Sequence, residues 1–437
     1  MAVSPLEERY ATDMNAVFDE QSKLRRWMEV EVALAYARAE AGEMPLKCAK
    51  EMEKAMQNVK LSRVKQIEDE IHHDLMAMVR ALSEQCDSET AKYVHLGATS
   101  YDIEDTATAM AFKDAYAIIE GRAQKLGELL EKLAVRHANT VCVGRTHGQH
   151  AVPTTYGLKF ALWKSELDRH LVRLAQSKPR MFAGKISGAV GTMAALGPNA
   201  FKIEGIMMKR LQLESAKVTN QVVQRDRHAE ALFILALIAT TLEKIAKEIR
   251  NLQRSEISEV AEAFGKKQVG SSAMPQKRNP HRSERVCSLA RIVRSDVQVA
   301  MENIPLEHER DLTNSANERI IFPQSFIITD YMLKEVTSIL DGLVFFPENI
   351  RKNLEMGGGA ILSERLVGAL AEKGMPRQEG HELVRTIAGE ALMKGERMQD
   401  VAARNEKVKK LVGKQLKEIF DYSTYVGQAE KIVRRAL

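Results

Sequence analysis

The chain is poor in what sheets and cross-linked folds need. Aromatic residues make up only 5% of its 437 positions, and just 11 prolines interrupt it. Ala, Leu, Met, Glu and Lys are abundant instead, a balance that favours helix over sheet. The four cysteines, Cys48, Cys86, Cys142 and Cys287, show no CxxC spacing, which argues against a disulfide framework and against a zinc site. Long hydrophobic runs are missing too. The most apolar stretch, 229–241, is too short to span a membrane and leads into Glu243 and Lys244. The first ten residues hold no apolar core of signal-peptide length, so the expected location is the cytoplasm. A concentrated basic face, the mark of a nucleic-acid binder, is lacking as well. The net charge of +5 is spread among acidic residues and suits a small anionic substrate.

What is present is helical periodicity. Residues 22–42 place Leu24, Trp27, Met28, Glu31 and Leu34 at steps of three and four, predicting a helix that Pro45 stops. The stretch 46–96 has neither Gly nor Pro and is long enough for several helices, one of them over 67–82. Gly97 then breaks the pattern. Thr99 and Ser100 are good N-caps, with Asp102 three beyond Thr99, and open a long helix over 103–138. Gly144, Gly148 and Pro153 make 141–155 a second break, followed by a helix over 155–176 and a glycine-rich segment, 184–198. The span 206–264 contains no breaker, and Leu232, Leu235, Ala239, Leu242, Ala246 and Ile249 form a packing seam within it. So long a seam reads as part of a bundle, with an intersubunit contact expected. Asn279-Pro280 opens a helix through about 303, another covers 324–340, and Gly357-Gly358-Gly359 leads into a small helical domain. The expected fold is all-α with three helical domains, 1–102, 103–352 and 353–437. No strand longer than a few residues is foreseen.

Reactive side chains concentrate in three breaks, 95–100, 145–155 and 265–279, and in two further clusters, His72-His73-Asp74 and Ser315 to Arg319. The segment 265–279 combines Ser271, Ser272, Gly270, three lysines (Lys266, Lys267, Lys277) and Arg278. On its own it reads equally as a solvated basic loop or as an anion-holding site. No GxSxG elbow surrounds the serines, so a hydrolase nucleophile is not indicated. His147 and His150 lack the i, i+4 spacing of a helical metal pair. A satisfied structural histidine and an accessible acid–base group both remain open for His147. Neither a metal nor a cofactor is expected.

The run Gly270-Ser271-Ser272-Ala273-Met274-Pro275-Gln276-Lys277-Arg278-Asn279-Pro280 resembles the signature loop of the fumarase/aspartase superfamily. Across essentially the whole chain, and within that superfamily, it is most similar to the adenylosuccinate lyases. The supporting stretches are Glu8-Arg9-Tyr10, His73-Asp74, the run His95 to Ser100, the run Arg145 to His150, Gln221 to His228, and Ser315 to Arg319. The resemblance implies a homotetramer of three-domain helical subunits with active sites shared between them. It implies elimination of fumarate from adenylosuccinate, giving AMP, and from the succinylated aminoimidazole carboxamide ribotide of purine synthesis. Ser271 matches the general base, activated by desolvation and by Lys266, Lys267 and Lys277. His147 matches the general acid, and Lys277 and Asn279 the groups that stabilise the aci-carboxylate. Matching likewise assigns His72, His73, Asp74, His95, Thr99, Ser100, Gln221, Ser272, Arg278, Ser315 and Arg319 to the substrate site, with Arg9 and Tyr10 at the phosphate. The loop is expected to act as a lid hinged at Gly265 and Gly270. Three positions depart from the family pattern: His72, Gln276 and Arg285, the last expected to alter how phosphate or ribose is held. Rival readings are carboxymuconate cycloisomerase, argininosuccinate lyase, and a non-enzymatic helical oligomer.

Overall fold

A computed structural model describes residues 4–265, 267 and 270–437. Lys266, which the resemblance would count among the charges near Ser271, lies outside the described residues. The protein is predominantly helical. It divides into two compact units. One takes the described residues up to Gln124 with His170–Leu242 and Ser288–Lys334, the other Lys125–Arg169, Glu243–Cys287 and Glu335–Leu437.

Local rules account for the first helix, Glu20–Ala41. The Asp19 carboxylate accepts from the Ser22 N–H at its start, and Gly42, at φ +85°, closes its end. Leu24, Trp27, Met28 and Leu34 are buried in the core of the first unit with Met52, Ile67, Leu75, Ile103 and Ile203. Where 67–82 was expected to be one helix, two occur, Leu61–Ile71 and Asp74–Ser83. His72 turns the chain between them at φ +53°. The long helix Ser100–Arg136 begins as expected, with the Asp102 carboxylate accepting from the Thr99 N–H at 2.9 Å, one arm of a capping box.

The unbroken span 206–264 is in fact interrupted. A helix Ala200–Leu211 ends at left-handed Gln212, and Glu214–Ser215 then pairs parallel to Ala183–Gly184 before the helix Asp226–Leu252 starts. On that helix the six seam residues are at most 1% exposed within the single chain, so the seam packs the subunit itself. Phe233, by contrast, is 51% exposed. Pro323 sits inside the helix Ser315–Asp341, which therefore begins well before the expected start at 324.

One region of the second unit departs from the all-helical expectation. Val141–Thr146 and Gln149–Thr155 form an antiparallel hairpin in which Thr146 pairs with Gln149. The two-residue turn between them is His147-Gly148, at φ +55° and +73°. Positive φ at both positions is the signature of a type I′ turn, whose twist matches the strands. Gly144 falls at a register shift, where an added Cβ would lie 2.7 Å from the Val152 carbonyl oxygen. Past Gly357 a separate core gathers Leu362, Leu366, Leu370, Val384, Met398 and Val408.

Candidate active site

The expected site residues fall into both units. In the first unit, Asp74 opens its helix and lies 2.6 Å from Arg319 Nη2. Burial pushes the Asp74 carboxyl up, but Arg319 and the Leu75 N–H more than offset this and hold it below its ordinary value. His73 caps the same helix, its Nδ1 accepting from the Met76 N–H at 3.4 Å. The ring of His95 is pinned, with Nδ1 at 2.6 Å from Glu31 Oε1. Burial opposes a charge on His95, but the Glu31 carboxylate raises its pKa overall. Gln221 donates to the Ala189 carbonyl and accepts from Arg310 Nη1 at 3.0 Å. Tyr10 packs edge-on to Tyr331, and Arg9 is exposed.

Beneath these residues lies a charged layer. Arg225 is only 2% exposed, yet all five of its N–H groups find acceptors in Asp105, Glu318 and the Val223 carbonyl. Arg310 stacks over the Tyr101 ring at 3.6 Å, while its Nε and Nη2 are buried with no acceptor among the described residues. Buried guanidinium donors left unpaired are costly unless an anion arrives to accept them. Arg310 was not foreseen from sequence, since it sits in no recognisable motif. Its orphaned donors appear only in three dimensions.

In the second unit, His147 stands exposed at the hairpin tip. Arg145, two residues before it, is anchored to the fully buried Glu259 at 2.5 Å. Glu259 also accepts from the Tyr156 hydroxyl at 2.6 Å and from Asn353 Nδ2 at 2.9 Å. Arg145 is therefore a structural pin that fixes the strand carrying His147. The signature loop is closed on itself, with Asn279 Nδ2 donating to the Gly270 carbonyl at 3.1 Å. A Cβ at Gly270 would meet the Lys277 carbonyl oxygen at 2.1 Å, so close packing of the loop ends requires glycine there. Ser271 Oγ accepts from the N–H groups of Met274 and Ala273, at 3.1 and 3.3 Å. Donors aimed at this oxygen favour its deprotonated form.

Lys277, Arg278 and Asn279 border a cavity of about 530 Å³ that Arg250 and Arg254 also line. These two arginines were likewise unforeseen, lying at the end of the seam helix. Arg285, expected at the substrate, lies 3.4 Å from Glu335 in this unit. Ser272 is exposed. Among the described residues no group of three His, Cys, Asp or Glu could hold a metal, and no helix is long and apolar enough to cross a membrane.

Known proteins match this arrangement over its full length. The family described as Lyase covers residues 8–294, and that described as adenylosuccinate lyase C-terminus covers 359–436. The adenylosuccinate lyase of Pyrococcus abyssi is 52% identical over 100% of this chain and 98% of its own. The adenylosuccinate lyase of Bacillus subtilis is 40% identical over 98% and 99%. Among solved structures, the 3-carboxy-cis,cis-muconate lactonizing enzyme of Pseudomonas putida superposes with a TM-score of 0.91 at 30% identity, over 99% of this chain and 98% of that one. A fumarate lyase from Mesorhizobium sp. BNC1 gives 0.90 at 31%, over 98% of both chains. The chain is an enzyme and belongs to the adenylosuccinate lyase family.

Proposed function

We propose that this lyase eliminates fumarate from adenylosuccinate, leaving AMP, and acts likewise on the succinylated aminoimidazole carboxamide ribotide. The observation that carries the reading is the state of Ser271, whose Oγ receives two backbone N–H groups inside the signature loop. As general base, Ser271 takes the proton from the succinyl carbon next to a carboxylate. The C–H electron pair moves into that carboxylate as an aci-dianion, stabilised by Lys277 and Asn279. It returns to form the C=C bond as the neighbouring C–N bond breaks. His147 protonates the departing nitrogen.

The orphaned donors of Arg310, together with Arg319, suit a phosphate dianion, with Arg9 and Tyr10 completing its binding. Further expectations belong to this reading. They are a cytoplasmic homotetramer of subunits with domains 1–102, 103–352 and 353–437, and sites shared between subunits. Supporting it, the adenylosuccinate lyase C-terminal match covers a region that the Lyase match does not reach.

The test is direct. Adenylosuccinate should give AMP and fumarate, followed by the ultraviolet change. The structural likeness to a muconate lactonizing enzyme makes a carboxymuconate the control substrate, and argininosuccinate a second. Turnover of either control, with none of adenylosuccinate, would replace this reading.

A further inference from the structure

Glu104 lies one turn into the helix Ser100–Arg136, on the face it shares with Tyr101 three residues before it. It lines a cavity of about 210 Å³ with Phe18, Trp27 and Phe322. Its one ion-pair contact among the described residues is with Arg319 Nη2, at 4.0 Å. That same nitrogen is already 2.6 Å from Asp74 Oδ2. Among the described residues no N–H or O–H group donates to the Glu104 carboxyl, whereas Asp105 and Glu318 both receive Arg225.

Hydrogen-bond partners point to which carboxyl gives way. Arg225, Arg310, Arg319 and the His228 ring face four carboxyls, Asp74, Glu104, Asp105 and Glu318. The remaining charges around the cavity, Glu20, Lys23 and Arg26 on the helix Glu20–Ala41, are otherwise engaged. Lys23 pairs with Glu20 at 2.8 Å and Arg26 with Asp114 at 2.7 Å. Of the four, Glu104 alone accepts no hydrogen bond at its carboxyl among the described residues. Burial first, and the Asp74 charge second, push its carboxyl up to about 8.

We propose that Glu104 is a positioning residue: kept neutral, it makes no second claim on the Arg319 guanidinium, which Asp74 alone then orients toward an anionic group of the substrate, and its ionisation draws that guanidinium away. The proposal rests on the reading of Arg319 as a substrate-anion group. Glu104 itself touches neither the reacting carbon nor the leaving nitrogen in that scheme. Its effect therefore falls on KM rather than on kcat.

The experiment measures KM and kcat for adenylosuccinate with the wild type and with Glu104→Gln, from about pH 6.5 to about pH 9.5. Near the acid end the two KM values should agree. Above the Glu104 transition the wild-type KM should rise roughly two- to five-fold over that of the variant, the size of one solvent-screened charge pair. The kcat ratio should stay flat. A KM ratio that does not change with pH overturns the proposal. If Glu104→Gln fails to fold, Glu104→Asp replaces it: withdrawing the carboxyl should shrink the wild-type rise, and an unchanged rise counts against the idea. If the wild type does not turn over adenylosuccinate at all, the proposed reaction fails, and calorimetric titration with inorganic phosphate decides the Glu104 claim. Weaker phosphate binding at high pH in the wild type alone supports it, and equal pH dependence in both proteins refutes it.

Discussion

The two units hold their polar groups in opposite ways. In the first, Arg225, Asp105 and Glu318 are buried and satisfy one another, so this wall of the candidate site is held by the protein's own charges. In the second, His147 and Ser272 stand exposed, and what is fixed at His147 is the backbone that carries it: a turn, a bulge and a salt-bridged strand. Such a wall supplies binding geometry. Chemical groups on exposed turns keep an approachable hydroxyl or imidazole, whose reactivity is set when water leaves. Substitutions should therefore separate: stability losses in the first unit, activity losses in the second.

The largest effects should come from the second unit. Ser271→Ala and His147→Ala should each lower kcat by roughly 10²- to 10⁴-fold, the usual yield of a positioned proton-transfer group. Thermal unfolding should shift little, since neither side chain is buried. A large loss of stability with normal turnover would erase the contrast between the units. Arg225→Ala should do the reverse. It strands Asp105 and Glu318 in the interior, at a cost of about 3–5 kcal/mol by chemical denaturation.

A pH series sharpens the same point. Burial alone would raise the Glu318 carboxyl, but Arg225 and His228 hold it at about 2, below its ordinary 4.5. The folded form thus binds fewer protons than the unfolded chain between these values. Its contribution is complete above pH 4.5 and is lost as the pH falls toward 2, on the order of 3 kcal/mol at most. Denaturation curves of wild type and Glu318→Gln should converge across that window. Parallel curves would show that the pair does not titrate as described. The smallest effect expected is at the hairpin turn. Gly148→Ala meets no neighbour within 4 Å, yet must adopt φ +73°, costing about 1–2 kcal/mol. It should lower kcat only modestly by tilting His147, as followed in the same ultraviolet assay.

Much of the helical frame was legible. Asp19, Gly42 and the Thr99–Asp102 pair are local devices, and they start or stop helices where such residues do. The misses share a cause. His72 and Gln212 take left-handed φ without the glycine that usually announces it. The break at Gln212 is followed by pairing with Ala183–Gly184, partners that are remote in sequence. Pro323 failed to end its helix because Ile321, Phe322 and Phe326 are buried on both sides of it, and that packing outweighs one lost backbone bond. The hairpin was hidden because Gly144 and Pro153 read as breakers. Here they serve as a bulge and a strand position.

The residues proposed for the chemistry were read from the chain alone, because a loop such as 270–280 keeps its order of hydroxyl, lysine and asparagine whatever surrounds it. Their environment could not. Only the folded structure leaves Arg310 with unpaired donors, turns Arg145 into a pin for the hairpin, and sets Glu104 beside an arginine already claimed by Asp74. The reason is physical. Residue type determines which proton a group can give or take. Its charge state and its partners depend on burial and on neighbours that arrive from distant parts of the chain.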